Sequence, residues 1–136
     1  MLKSTINKSI NNGLALPELV HQWSNLDFNA IEDYEVFDKE QLNYMESTQP
    51  DAKEIAQLYV DIYGEIDIPE EIMECVQQAT EEGLSVEGFC MDCLYENCFD
   101  YEFDDEVNIW LNEMGRDYSD KVNTISNLWA QYTLSE

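Results

Sequence analysis

Between Lys53 and Arg116 the chain runs for 62 residues without a single lysine or arginine, and the same tract carries eighteen aspartates and glutamates. No motif constrains the fold as much as this stretch does. Helices of ordinary acidic proteins relieve like charges with basic partners three or four residues away, at a few tenths of a kcal/mol per pair. No such relief exists inside this tract. Its helices must therefore be held by packing of their apolar faces, with the acids turned outward. Seven of the carboxylates crowd into "DCLYENCFDYEFDDE", Asp92 to Glu106, among Tyr95, Phe99, Tyr101 and Phe103.

The flanks are milder. Residues 1–53 hold nine acids and four bases, and residues 116–136 hold three acids and two bases, so the whole chain stands at -24. Solubility of a small domain needs a net charge of only about 2 to 8. The excess opposes compaction by self-repulsion. A purpose other than solubility is implied. Aromatics are too plentiful for a disordered acidic tail. At 136 residues the chain reads as one domain spanning 1–136, long enough to bury about two thirds of its unfolded surface.

Apolar spacing predicts a mainly α domain of about five to six helices. Residues 1–12 read as a short helix or a loose N-terminal arm. "LPELVHQWSNL" has Pro17 at a helix start and places Leu16, Leu19, Val20 and Trp23 on one face. "FNAIEDYEVF", near residues 28–37, alternates and is the best candidate for a short strand. The pattern turns helical again from Asp38. "PDAKEIAQLYVDIYG" carries Ile55, Leu58, Tyr59 and Ile62 as its stripe, and "IPEEIMECVQQATEEG" runs from Pro69 to a stop at Gly83. "SVEGFCMDCLYENCF" opens on Ser85 as N-cap, with Val86, Phe89, Cys90, Cys93 and Leu94 on one side. "DDEVNIWLNEMG" and "YSDKVNTISNLWAQYTL" supply two more helices, the last an amphipathic one with Val122, Ile125, Leu128, Trp129 and Tyr132 inward.

On the helix from Val86, Asp92, Glu96 and Asp100 fall four apart, and Asp104 extends the row if the helical path continues. Each step rises about 6 Å on one face. Glu70, Glu71, Glu74 and Glu87 precede the row, and Glu102, Asp105 and Glu106 thicken it. A solvated helix face is the bland reading of such a pattern. The base-free tract favours a sharper one, in which these carboxylates imitate nucleic-acid phosphates. Duplex DNA carries one charge per roughly 1.7 Å, so a net charge of this size matches about 40 Å of duplex. Tyr95 and Tyr101 are candidate interface anchors beside the charges, whereas Phe89, Phe99 and Trp110 read as core.

Other chemistries fit less well. Cys75, Cys90, Cys93 and Cys98 give the count of a zinc site. Only one C-x-x-C exists among them, however, and it sits in a helical apolar pattern where free cysteine acts as a small core residue. From Asp100 the calcium-loop pattern fails, with Asp105 where glycine is required and Leu111 where glutamate is required. His21 stands alone in a helix. No phosphate-binding glycine loop or nucleophile elbow is present, so no enzymatic activity and no cofactor are expected. Lacking an export signal or an apolar span, the chain is expected in the cytosol with reduced thiols. Its charge argues against direct contact with nucleic acid or an anionic membrane and for a basic partner.

"NAIEDYEVF" carries a resemblance. Ala30, Ile31, Asp33, Tyr34 and Glu35 are similar to the A-I-x-D-Y-E stretch of the ArdA-type antirestriction proteins, a local match of six residues. The composition and "DDEVNIWLNEM" also resemble the phage-encoded Ocr type. The resemblance implies an acidic DNA mimic from a phage or mobile element, acting as a homodimer in the DNA groove of a type I restriction-modification enzyme. The targets considered are a restriction-modification enzyme, a CRISPR effector and another nucleic-acid enzyme of the host. The alternatives are an acidic adaptor for a basic protein unrelated to DNA, or a domain stabilised by zinc on Cys75, Cys90, Cys93 and Cys98.

Overall fold

The computed structural model describes residues 2–24, 37–48, 50–95, 104–115 and 117–135, and among them eight α-helices form. They are α1 (Leu2–Asn11), α2 (Leu16–Ser24), α3 (Lys39–Ser47), α4 (Ala52–Tyr63), α5 (Glu70–Glu81), α6 (Val86–Tyr95), α7 (Asp104–Met114) and α8 (Tyr118–Ser135). The mainly α class holds. The helix number exceeds the five to six expected, and Leu2–Asn11 contributes one of the additional helices, with Ile6 and Ile10 buried, rather than a loose arm. Of the strand candidate only Phe37, which is buried, lies within the described residues.

Local chemistry sets the ends. Asp38 caps α3 through a reciprocal pair: the Gln41 backbone N–H donates to Asp38 Oδ1 at 2.8 Å, and the Asp38 N–H donates to Gln41 Oε1 at 3.2 Å. Ser85 Oγ accepts from the Gly88 N–H at 3.0 Å and opens α6 as the sequence implies. Helices α1 and α5 end alike. Leu14 N–H reaches the Ser9 carbonyl at 2.9 Å and Leu84 N–H reaches the Ala79 carbonyl at 3.0 Å, around Gly13 at φ +80° and Gly83 at φ +99°. Those are Schellman caps, whose left-handed residue is cheapest as glycine.

The last helix is the axle of the molecule. Helix α8 packs against α2, α4, α5, α6 and α7. Val122, Ile125, Leu128, Trp129, Ala130 and Tyr132 are buried on it, but so are Thr124, Ser126 and Asn127. The amphipathic face expected of it is thus wrapped almost all round, as a central helix must be. Its polar groups are matched. Ser126 Oγ accepts from the Leu16 N–H at 3.0 Å and so caps α2 from across the core. Asn127 Nδ2 donates to the Tyr59 hydroxyl at 3.1 Å, which in turn donates to the Asn123 carbonyl at 3.1 Å. Burial pushes the Tyr59 phenol well above its usual range, so it stays a neutral donor.

Candidate functional site

The acids described most fully lie on α4, α5 and the segment joining them. Glu54 and Asp61 are exposed seven residues apart on α4, close to two helical turns and hence on one face. Residues 64–69 then alternate. Ile66 and Ile68 pack against the core while Glu65 and Asp67 face solvent. Gln131 on α8 pins this stretch by donating from Nε2 to the Ile66 carbonyl at 3.0 Å. Helix α5 buries Ile72, Cys75, Val76 and Ala79 and exposes Glu70, Glu71, Glu74, Glu81 and Glu82. These exposed carboxylates all fall in the tract between Lys53 and Arg116, whose sequence contains no cation.

Helix stability does not explain all of these positions. Glu70 and Glu71 sit in the first turn of α5, where the helix dipole favours them. Glu81 and Glu82 sit at the other end, where the dipole opposes an acid and a base would help; the last turn has none. Glu70 and Glu74 repel at one-turn spacing. Carboxylates accept hydrogen bonds, and the ammonium and guanidinium groups of Lys and Arg only donate. The chemistry available to this surface is therefore the capture of basic side chains.

Of the expected phosphate mimics, Glu70, Glu71 and Glu74 are exposed on α5. Two others are placed differently. Glu87 is only partly exposed and accepts from the Trp129 indole Nε1 at 3.1 Å, a contact that ties α6 to α8. Asp92 is partly buried, with Oδ2 turned out of solvent, so the first member of the expected stripe is not an outward charge. The stripe assumed one outward face on α6, but that helix is packed by α2, α5, α7 and α8. Helix α6 ends at Tyr95 and α7 begins at Asp104. Glu96, Asp100, Tyr101 and Glu102 lie outside the described residues, as do residues 30–35 that carry the antirestriction resemblance. Asp104, Asp105 and Glu106 open α7 and Tyr95 closes α6, with the backbone alone described.

Sequence reasoning missed part of the surface. Glu65 and Asp67 are exposed as well, and the alternation in "EIDIP" was the available signal for them. It also missed an apolar groove of about 300 Å³ between the start of α5 and α7, with Ile72 and Trp110 at its base and Glu71 and Glu113 on its lips. Ile109 lines it and is 60 % exposed. The signal was there: Val107, Trp110 and Leu111 make the inward stripe of α7 and are all buried, which leaves Ile109 off the stripe.

Cys75, Cys90 and Cys93 are buried. Burial and the neighbouring Cys93 and Glu87 hold the Cys90 thiol well above its usual range. That keeps it protonated, and a metal ligand or nucleophile must be a thiolate. No group of three or more metal-ligating side chains gathers among the described residues, and Cys98 lies outside them. His21 is exposed on α2. No helix among the described residues is long and apolar enough to cross a membrane. Comparison with protein-family models, with curated proteins and with solved structures finds no match to this chain.

Proposed function

We propose that the chain is an acidic nucleic-acid mimic that binds and blocks a DNA- or RNA-binding host-defence protein, a restriction-modification enzyme or a CRISPR effector. One observation carries this reading. Glu54, Asp61, Glu65, Asp67, Glu70, Glu71, Glu74, Glu81 and Glu82 all face solvent across α4, its connection and α5, with no cation in the same tract. The target's lysines and arginines pair with these carboxylates as they would with phosphates, and counterions leave the target's groove. Affinity then falls steeply with salt. A folded scaffold holds its charges in place before the encounter, which lowers the cost of association.

Competition is the test. Immobilised target, either a type I restriction enzyme or a CRISPR effector, is loaded with the protein and challenged with duplex DNA over a salt series. Mutual exclusion with a strong salt slope is expected. A complex that accepts the protein and duplex DNA together would sink the mimic and leave the second reading, an adaptor for a basic protein unrelated to nucleic acid. The apolar groove favours that second reading, since imitation of phosphates alone does not require one.

A further inference from the structure

We infer that the groove between α5 and α7 is a docking site for a basic amphipathic segment of a partner protein, which inserts an apolar side chain over Ile109 and sets cations against Glu71 and Glu113. The inference rests on the reading above in one respect: the partner is basic. Three features converge on this occupant. Ile109 is 60 % exposed at the centre of a helix that buries Val107, Trp110 and Leu111. The groove beside it, about 300 Å³ and floored by Ile72 and Trp110, is deep enough to take one large aliphatic side chain. Its two lips are carboxylates on different helices, Glu71 on α5 and Glu113 on α7, both exposed.

The charge decides which occupant fits. A purely apolar segment would leave both carboxylates to be desolvated without partners, which is costly. A second copy of this chain would bring another net charge of -24 against the same lips, and like-charge juxtaposition disfavours that pairing. A segment with a leucine or phenylalanine flanked by arginines satisfies both requirements at once. Interfaces concentrate their energy in one such buried anchor with a polar rim. The acids of α4 and α5 would steer the encounter and the groove would slow departure, since steering acts on arrival and buried anchors act on release.

The experiment uses the full chain and two synthetic helical peptides of equal charge. One carries leucines at one-turn spacing between arginines; the other has alanine for each leucine. Titration calorimetry should show the leucine peptide binding at least about tenfold more tightly. Ile109→Ala should erase that preference while leaving the alanine peptide's affinity unchanged. The variant keeps its fold because the site is exposed and alanine is the best helix former. Glu71→Gln with Glu113→Gln should weaken both peptides. Equal affinity of wild type for the two peptides, a preference that survives Ile109→Ala, or no binding of the leucine peptide would each overturn the groove. None of those results touches duplex competition, which reads the acids of α4 and α5. Conversely, a partner that tolerates duplex DNA removes the mimic and leaves the peptide preference standing.

Discussion

Reversing one acid on α5 should make the protein more stable and, under the proposed function, a worse inhibitor. Glu74 is exposed, four residues after Glu70 and three after Glu71, both exposed as well. Like charges at these spacings cost about 0.2 to 0.5 kcal/mol per pair, and opposite charges return a similar amount. Glu74→Lys converts both repulsions into attractions, and Glu70 before Lys at one turn is the better orientation. The swing is about 1 kcal/mol after discounting for solvent screening on an open face. For a chain of this length that corresponds to a rise in Tm of roughly 3 to 4 °C.

Thermal unfolding followed by circular dichroism reads the effect, at about 0.05 M and at 1 M salt. The Debye length falls from over 10 Å to about 3 Å across that range. The gain should therefore shrink to well under half at high salt, while wild type itself gains stability as its self-repulsion is screened. In parallel, Glu74→Lys should capture target less well at every salt concentration below about 0.2 M. A neutral or destabilising Glu74→Lys at low salt would refute the reasoning that α5 carries a strained acidic array. A more stable variant that inhibits as well as wild type would remove α5 from the proposed interface.

Other outcomes follow from single contacts. Trp129→Ala should cost about 3 to 5 kcal/mol in denaturant unfolding, because the side chain is fully buried on α8. Glu87→Ala should cost about 1 to 3 kcal/mol by orphaning the same indole N–H, and should leave target binding unchanged. Gly83→Ala meets no atom within 4 Å, so its expected loss of about 1 to 2 kcal/mol is backbone strain at φ +99° alone. Asp38 is held below its usual 3.8, chiefly by the Gln41 backbone N–H and further by Lys8. A depressed carboxyl contributes stability that is full above 3.8 and lost as pH falls through the lowered value. The Tm of wild type relative to Asp38→Asn should therefore fall in that acid window and stay flat above it.

Residue patterns made the outer helices legible and the axle less so. Leu16, Leu19, Val20 and Trp23 announced α2 because all four meet the core, and each is buried. Helix α1 was ambiguous because Leu2, Ile6 and Ile10 are its only apolar side chains, and two lysines sit among them. Their burial depends on α2 and α4, which periodicity within twelve residues cannot reveal. On α8, Thr124, Ser126 and Asn127 looked like a solvent face. The Thr124 hydroxyl donates to the Asp120 carbonyl one turn back at 2.9 Å, while Ser126 and Asn127 are satisfied by partners distant in sequence, the Leu16 N–H and the Tyr59 hydroxyl. The same cause misplaced Glu87: charge spacing called it outward, and Trp129, 42 residues on, pulls it in. Glu70, Glu71 and Glu74, which charge spacing also placed outward, are exposed on α5.

Fold and surface charge are separable in this molecule, and the nature of the buried polar groups shows why. Among the described residues those groups are Thr5, Ser9, Gln22, Gln41, Thr124, Ser126 and Asn127, none of them ionisable. The core is thus held mainly by apolar packing and neutral hydrogen bonds, with Glu87 against the Trp129 indole and Asp92 as partly buried exceptions on α6. A buried ion pair would have tied the interior to specific cations, and losing one partner typically costs 3 to 5 kcal/mol. A neutral core carries no such debt, so exposed acids can change in number and place with effects limited to their mutual repulsion. That is the arrangement a charged decoy needs. Its outer carboxylates must answer to a partner's lysines and arginines rather than to the protein's own, and the run from Glu54 to Gly115 contains no lysine or arginine.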